Sequence, residues 1–198
     1  MARQQVHDRR VRKTQSRLRE ALVSLIHEKS YNSIVVKEIL ERADVGRTAF
    51  YAHFRDKHAL LASGIHQILH GTAARSHAST GGPYSKVLWF SLPILEYVEQ
   101  FRHSDGVHME RSGRTAVHQH LRQVLIDQIT GDVRAMVQPS TANAGGTPTD
   151  LLVEYLVATF LLVLNWWVES GSPLSARQVD DLFLALVGPT LAAEIARA

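Results

Sequence analysis

Residues 43–57 read Ala-Asp-Val-Gly-Arg-Thr-Ala-Phe-Tyr-Ala-His-Phe-Arg-Asp-Lys, and this stretch indicates how the front of the chain folds. Gly46 separates two helical patterns at a point where a tight turn favours a residue without a Cβ atom. Upstream of it, three apolar residues are spaced to form one stripe on a helix: Ile39, Leu40 and Ala43. Two short helices joined by a glycine-containing turn are typical of a helix-turn-helix, a motif that binds nucleic acid.

The helix after the turn has a predicted buried side and a predicted outward side. Its apolar stripe consists of Ala49, Phe50 and Phe54. The other faces carry small, polar and aromatic groups: Arg47, Thr48, Tyr51, Ala52 and His53. Because Phe50 and Tyr51 are adjacent, they cannot both face inward. We therefore expect Phe50 in the core and Tyr51 on the face that meets nucleic acid.

The charge is distributed unevenly along the chain. Residues 1–60 hold 13 Lys and Arg against 7 Asp and Glu, whereas residues 61–198 hold 9 against 12. The densest basic run lies near the start of the chain: Arg3, Arg9, Arg10, Arg12, Lys13, Arg17 and Arg19. Taken alone, such a run indicates a solvated tail, but beside a helix-turn-helix it favours an arm that contacts phosphates.

Composition limits the classes of protein to consider. The 198 residues are 45% hydrophobic and 21% charged, which is typical of an ordinary globular protein. The chain has no cysteine, so disulfides and thiolate metal sites are excluded. The charged N-terminus does not resemble a secretory signal, and the apolar run at residues 155–168 is short for a membrane helix. We expect a cytoplasmic protein without a membrane span.

Helical periodicity dominates the rest of the sequence, and alternating strand patterns are hard to find. The predicted fold is all-α, with about nine helices. Outside the second helix of the motif, the main helices are expected at residues 14–29, 36–42, 56–75, 84–103, 116–137, 150–169 and 175–197, with a short one before Gly113. The helix at residues 84–103 is expected to kink or restart near Pro93. Asp56 and Ser175 are expected N-caps.

These residues resemble a known family. Residues 14–61 are similar to the N-terminal domain of the tetracycline-repressor (TetR) family of bacterial transcription regulators. The resemblance is carried by Thr14, Ala21, Leu22, Ile39, Ala43, Val45, Gly46, Phe50, Tyr51, His53, Phe54, Asp56, Lys57, Leu60 and Leu61. It implies a three-helix DNA-binding domain at residues 1–55 and an effector-binding and dimerisation domain at residues 56–198.

The family also implies roles for individual residues. Arg47, Thr48 and Ala49 correspond to positions nearest the base edges, and Arg47 is the best candidate for bidentate recognition of guanine. Tyr51 and His53 match contacts to phosphates or a thymine methyl group. Lys57 matches a phosphate contact at a helix N-terminus. Thr14, which is also among the matched residues, is a further expected DNA contact.

The chain departs from the family pattern at the start of the second helix. The family usually places Ser or Thr there as the N-cap, whereas this chain has Val35. Ser33 is the candidate to replace that hydroxyl. Lys37 is included among the expected DNA contacts because it could meet the phosphate backbone electrostatically, although a lone lysine is often simply solvated.

Aromatic residues form two segments in the C-terminal half. Trp89, Phe90, Tyr97, Phe101 and Trp166 are the candidate lining of a pocket for a small, apolar or aromatic effector. Ordinary core and dimer packing is the alternative for each of them. Trp166 and Trp167 are adjacent and must point in different directions, so one is expected inside and the other at a dimer interface.

Neither a metal site nor an enzyme is predicted. His66 and His70 have the i, i+4 spacing of a metal-binding pair, but no third ligand lies nearby in the sequence. The side chains of His118 and His120 diverge on a helix. The sequence contains no Gly-x-Ser-x-Gly, Gly-x-x-x-x-Gly-Lys or His-Glu-x-x-His motif. We therefore expect no cofactor and no catalysis.

The resulting hypothesis is a dimeric repressor that binds double-stranded DNA. The last two helices, at residues 150–169 and 175–197, are expected to form the homodimer interface and to hold two recognition helices about 34–36 Å apart. A small molecule would then shift the fourth helix and release a palindromic operator. The alternatives are an activator or partner-controlled DNA-binding protein without a pocket, and a histidine-based metal sensor or enzyme.

Overall fold

The computed structural model describes residues 2–76, 84–102, 111–137 and 147–197, and these ranges contain eight α-helices and no β-strand. The helices are α1 (Ala2–Glu28), α2 (Val36–Ala43), α3 (Arg47–Tyr51), α4 (Lys57–Ser76), α5 (Ser91–Arg102), α6 (Arg111–Met136), α7 (Thr149–Glu169) and α8 (Ala176–Arg197). A 3₁₀ helix at Tyr31–Ser33 precedes α2. The predicted all-α fold, with a helix-turn-helix followed by a helical C-terminal part, is confirmed.

The chain divides into two compact units. The first comprises the described residues within 1–65 and 106–121, and the second comprises those within 66–105 and 122–198. The predicted domains, residues 1–55 and 56–198, were assigned by function and not by compactness, so this division stays a prediction. Helices α4 and α6 each contribute residues to both units.

The first unit is built on α1, which begins at Ala2 rather than at residue 14 as expected. Residues 2–28 contain no Pro or Gly and are rich in Arg and Gln, which favour a helix. The helix therefore includes the basic run. The buried residues of α1 include Leu18, Leu22 and Leu25. The helix packs against α2, whose Ile39 is fully buried.

The second unit is held by an aromatic cluster among its helices. Phe90, Phe160 and Phe183 are fully buried. Their ring centroids are 5.1 Å apart for Phe90 and Phe160 and 5.4 Å apart for Phe160 and Phe183. These distances and the steep angles between the rings are those that aromatic pairs prefer. Trp167 is also fully buried, and its Nε1 donates to the carbonyl of Leu174.

One polar pair is buried in the second unit. The Ser91 hydroxyl lies 2.5 Å from Oδ1 of Asp180 and 2.9 Å from the carbonyl oxygen of Leu88. A hydroxyl has one hydrogen, so it can donate to only one of these two acceptors. Burial raises the pKa of Asp180, more than the bond to Ser91 lowers it. The Ser91 hydroxyl therefore divides its donor between the Asp180 carboxyl and the carbonyl of Leu88.

Two more predicted helix boundaries are wrong. The helix expected from residue 84 begins at Ser91, because residues 84–90 form turns in which Val87 and Leu88 donate to the carbonyl of Tyr84. Pro93 therefore lies in the first turn, where a helical amide has no partner to lose. The short helix expected before Gly113 and the next one are a single helix, α6, because one glycine in the first turn costs little.

Helix α7 is long and apolar enough to cross a membrane, with a mean hydropathy of 1.9. The same properties occur in core helices of soluble proteins, because both must bury apolar side chains. Leu152, Leu156 and Phe160 form part of a continuous buried stripe on this helix, which packs against α8. Its length and composition therefore match a core helix as well as a membrane span.

Candidate nucleic-acid interface

Helix α2 starts without a side-chain cap from its preceding residue. Val35 has no acceptor atom, and the amide of Val35 instead donates to Oε2 of Glu38 at 3.0 Å. Hydrogen bonds from Lys29 and from the Val35 amide lower the pKa of Glu38. The hydroxyl of Ser33 donates to the carbonyl of Ser30 at 2.7 Å, so Ser33 does not replace the missing cap.

The turn between α2 and α3 depends on Asp44, not on Gly46 as predicted. Asp44 has φ 51° and ψ 53°, in the left-handed region that aspartate tolerates better than most residues. The amide of Val45 donates to the carbonyl of Leu40, which closes the end of α2. Gly46 has φ −71°, and a Cβ atom there would meet nothing within 4 Å. Its role is that of an N-cap for α3.

Helix α3 is anchored by Phe50. This side chain is fully buried, and its ring centroid lies 5.8 Å from that of Phe54 and 5.2 Å from that of Tyr51. Tyr51 is 51% exposed, so the predicted inward Phe50 and outward Tyr51 are confirmed. A helix of five residues has little stability of its own, and the packing of Phe50 and Phe54 compensates for this.

The outward face of α3 carries the side chains that the sequence assigns to DNA. Arg47 and Thr48 are exposed, and Ala49 and His53 are half-buried. The Lys37 ammonium on α2 is also exposed, 3.7 Å from Oε1 of Glu41. The sequence patterns therefore identified side chains that lie on the surface and within one unit.

A groove lies between α1 and the helix-turn-helix. It encloses about 620 Å³ and is lined by Arg10, Val11, Lys13, Thr14, Arg17, Asp44, Val45, Gly46, Ala49 and His53. Thr14 forms part of the wall on α1. Apart from His53, the ionisable lining residues are the cations Arg10, Lys13 and Arg17 and the single carboxylate Asp44. The groove therefore attracts anions.

The half-buried Lys57 at the start of α4 bonds to backbone carbonyl groups of residues 31, 32 and 34. Its Nζ atom donates to the carbonyl oxygens of Tyr31, Asn32 and Ile34 at 2.8, 3.1 and 2.8 Å. The same ammonium lies 4.7 Å from the centroid of the Tyr31 ring. Burial lowers the pKa of Lys57. The sequence did not predict this orientation.

The start of α4 is capped as predicted. Oδ1 of Asp56 accepts a hydrogen bond from the amide of Ala59 at 2.8 Å. This bond lowers the pKa of Asp56, with a smaller contribution from Arg55. The corresponding prediction for Ser175 is also confirmed, because the amide of Gln178 donates to its hydroxyl at 3.4 Å.

Charged contacts fix α2 against α1. Arg42 donates to both carboxylate oxygens of Glu28 at 2.7 Å, and it also donates to the hydroxyl of Ser24. Lys29 forms an ion pair with Glu38. The guanidinium of arginine and a carboxylate can form two parallel hydrogen bonds, which fix the orientation of the two groups as well as attract them. These partly exposed contacts add to the apolar packing between α1 and α2.

A histidine pair that the sequence did not reveal lies in the first unit. Nδ1 of His58 is 3.0 Å from both the Tyr31 hydroxyl and Nε2 of His120. Burial and the neighbouring His120 lower the pKa of His58, and Asp56 acts in the opposite direction. His58 and His120 are 62 positions apart in the chain, so no spacing rule could connect them.

The structure gives no support to a metal centre at the histidines considered in the sequence. Within the described residues, no three His, Asp or Glu side chains form a group that could hold a metal ion. The side chain of His70 lies outside the described part of the chain, so its pairing with His66 stays untested. His118 and His120 lie on α6, two positions apart.

The aromatic residues proposed for an effector have different surroundings. Phe90 is in the aromatic core, whereas Trp166 is 45% exposed. Nε1 of the half-buried Trp89 donates to Asp132 at 3.2 Å. Tyr97 is half-buried, and burial raises its pKa. The side chain of Phe101 lies outside the described residues. Phe90 and Trp166 thus differ in exposure.

Comparisons with known proteins agree with this geometry. Residues 18–63 match the family model for bacterial regulatory proteins, tetR family. The chain is 25% identical over 178 residues to the uncharacterized HTH-type transcriptional regulator YxbF of Bacillus subtilis (strain 168). That match includes 87% of this chain and 44% of the relative, so the chain spans less than half the length of the curated relative.

A solved structure shares the fold. The crystal structure of a TetR transcriptional regulator from Streptococcus agalactiae 2603V superposes with a TM-score of 0.57 at 22% sequence identity. The match covers 92% of this chain and 98% of the other. At this identity the similarity of the two structures establishes only the arrangement of helices. The relation to a family depends on the match of residues 18–63.

Proposed function

We propose that this chain, which belongs to the tetR family of bacterial regulatory proteins, represses transcription by binding a palindromic operator as a homodimer. Membership provides the coarser function, that of a transcriptional regulator with a DNA-binding helix-turn-helix. Repression, the dimer and release by an effector are the finer parts of the proposal. A regulator of this kind acts in the cytoplasm and needs no catalytic group.

The observation that carries the proposal is the continuity of the groove with the outward face of α3. Arg10, Lys13 and Arg17 line the groove on the side of α1, Ala49 lines it from α3, and His53 lines it from the turn after α3. A phosphate backbone in this groove would bring Arg47 and Thr48 to the base edges. Thr14, Tyr51 and His53 would contact the backbone beside them, and Lys37 would add attraction from α2.

The proposed dimer rests on apolar side chains that α7 and α8 expose. Leu151, Tyr155, Leu162 and Trp166 recur at helical spacing along one face of α7, and Leu162 is 67% exposed. Leu182 and Leu186 are exposed on α8. Monomeric proteins rarely expose apolar groups in such rows, and a second copy of the same helices would cover them symmetrically.

Control by a small molecule is the third part of the proposal. A ligand that binds one conformation of the second unit better than another would shift α4 and release DNA. One observation favours the alternative of control by a partner: Phe90, Phe160 and Phe183 contact one another and fill the space among them.

The test of DNA binding starts from selection of a duplex from a random-sequence pool by the purified protein. Fluorescence anisotropy with the selected duplex should show affinity that falls steeply with salt, because each phosphate contact adds about 0.9 to the slope of log K against log salt. Arg47→Ala should weaken binding by about 10–100-fold, as expected for one bidentate base contact. Arg134→Ala, at an exposed arginine on α6, is the matched control.

Two results would contradict the proposal. Binding that does not change between about 50 and 200 mM salt would exclude a groove that holds phosphates. Equal losses for Arg47→Ala and Arg134→Ala would show that the outward face of α3 does not read the duplex. A promoter–reporter assay with the selected duplex then decides between repression and activation.

A further inference from the structure

Side chains from three different elements meet at the start of α4. Nδ1 of His58 on α4 lies 3.0 Å from the hydroxyl of Tyr31 in the 3₁₀ helix and 3.0 Å from Nε2 of His120 on α6. The two imidazole rings are nearly parallel, with 8° between their planes and 4.9 Å between their centroids. The centroid of the Tyr31 ring is 5.5 Å from that of His58 and 5.9 Å from that of His120. The three rings therefore form one cluster.

The contact between the two imidazoles has room for one hydrogen between Nδ1 of His58 and Nε2 of His120. A neutral imidazole has one N–H donor and one acceptor nitrogen, whereas a charged imidazolium has two donors and no acceptor. The contact is therefore a hydrogen bond when both rings are neutral and when one of them is charged. When both rings are charged, two N–H groups and two positive charges face each other, and the bond is lost.

Within the described residues, the ionisable groups that act on His58 come from every side of the cluster. Asp56 and Lys57 lie at the start of α4, Tyr31 lies in the 3₁₀ helix, and His120 lies on α6. Burial lowers the pKa of His58 most, and His120 and Lys57 lower it further, while Asp56 raises it. Solvent reaches the pair, since His58 is exposed and His120 is half-buried.

Among these groups, the imidazoles are the ones whose charge changes between about pH 8 and pH 5. A hydrogen bond from a backbone amide lowers the pKa of Asp56, so this carboxylate stays ionised over that range. Burial raises the pKa of Tyr31, so its hydroxyl stays neutral. A drop in pH therefore acts on the cluster through His58 and His120.

The position of the cluster connects it to the helix-turn-helix. Tyr31 precedes α2, and His58 directly follows Lys57, the expected phosphate contact at the start of α4. Helices α4 and α6 both continue from the first unit into the second, after Ile65 and after Leu121. The histidine pair therefore joins α6 to the helix whose shift is proposed to release DNA.

We propose that the histidine pair, His58 and His120, is a proton-sensitive switch that holds α6 against the start of α4 at neutral pH and releases it in acid, which weakens DNA binding. This inference rests on the proposed function, because release of α4 has a consequence only if the motif binds DNA. When the second proton binds, Nδ1 of His58 donates to the Tyr31 oxygen and His120 moves away. The proton thus acts as an effector that needs no pocket in the second unit.

The experiment uses three variants in which glutamine replaces a histidine. His120→Gln and His58→Gln each remove one ring of the pair, and His118→Gln is the matched control, two positions away on α6. Glutamine keeps a donor and an acceptor but carries no charge. The first measurement is an NMR pH titration of ¹³C-labelled histidine rings in the full-length, DNA-free protein. The second is fluorescence anisotropy with the selected duplex at pH 7.5 and at pH 5.5.

The titration should show that the two rings of the pair are coupled. In the wild type, the pKa of His58 should lie below its ordinary value of 6.5. His120→Gln should raise the pKa of His58, because one positive neighbour is removed. His118→Gln should leave it unchanged.

The affinity measurement compares proteins at the same pH, because acid also has a general effect of the opposite sign. A histidine near phosphates, such as His53 in the groove, gains charge in acid and attracts DNA in every variant. From pH 7.5 to pH 5.5, the affinity of the wild type should fall by about 5-fold relative to His120→Gln and to His58→Gln. The factor is modest because solvent screens the exposed rings. His118→Gln should follow the wild type.

Three results would overturn the inference. An unchanged His58 pKa in His120→Gln would show that the two rings do not share a proton. A ratio of wild-type to variant affinity that is equal at the two pH values would show that the contact does not act on DNA binding. If His118→Gln behaved like His120→Gln, the effect would not belong to this pair. If the wild type binds no duplex at either pH, the proposed function fails, and the titration still decides whether the pair senses protons.

Discussion

The two units add different contacts to their apolar cores. In the first unit, α2 and α3 have eight and five residues, too few for stable helices on their own. Charged groups fix their ends: Arg42 binds Glu28, Lys29 binds Glu38, and Lys57 binds carbonyl oxygens. In the second unit, α7 and α8 have 21 and 22 residues and pack through Phe160 and Phe183.

The surfaces of the two units also differ, in the charge and polarity of their exposed side chains. The first unit uses some of its charges internally and presents others, such as Arg47, at its surface. The second unit has an apolar core and still exposes apolar residues, among them Leu162 and Leu186. A polar surface with cations suits a polyanion, whereas an exposed apolar face suits a second copy of the chain. Each prediction below tests one side of this comparison.

The largest effect is expected from a charge on the apolar face of α7. Leu162→Glu would bury a carboxylate in the proposed interface and should convert the dimer to a monomer. DNA affinity should then fall by about 100-fold or more, because the two recognition helices no longer bind as a linked pair. Sedimentation velocity and anisotropy measure the two effects. Gln123→Glu, at an exposed site on α6, adds the same charge as a control.

The comparison would break if Leu162→Glu remained dimeric and bound the selected duplex like the wild type. The exposed apolar residues of α7 would then serve some contact other than dimerisation. A monomeric wild type would have the same consequence. Loss of dimer in Gln123→Glu as well would indicate a general effect of charge and not a specific interface.

A smaller effect is expected from the buried Asp180. Its pKa is raised by burial above the ordinary value of 3.8, so the folded state favours the protonated carboxyl. Below pH 3.8 both states are protonated, and this group does not reduce stability. As the pH rises, the unfolded chain ionises first, and the folded protein loses about 1.4 kcal/mol for each unit of the pKa difference until the folded-state pKa is passed.

Asp180→Asn should remove this loss and keep a polar group beside Ser91. The difference in unfolding free energy between variant and wild type should therefore rise from pH 4 to pH 7.5, as measured by urea unfolding at each pH. A difference that stays constant, or falls, over this range would show that Asp180 is ionised in the folded state under all these conditions.

The sequence predicted the fold and the outward face of the site because both depend on local spacing. The stripes around Phe50 and Phe54 and the cap at Asp56 follow from neighbours within one helical turn. The direction of Lys57 does not, because its partners are 23 to 26 positions away and its side chain is long and flexible. The pairing of His58 with His120 was hidden for the same reason.

The smallest effect is expected at Gly46, where the sequence pattern gave the wrong physical reason. Its φ of −71° suits any residue, and a Cβ atom there would have open space around it. Gly46→Ala should thus change the unfolding free energy by no more than about 0.5 kcal/mol, with a weaker N-cap offset by a less flexible unfolded chain. A cost of about 1–2 kcal/mol in urea unfolding would instead mean that the turn needs a left-handed residue at position 46. Asp44 supplies that conformation at the exposed end of α2, near Arg17, so a polar residue, not a glycine, sets the path of the backbone in this turn.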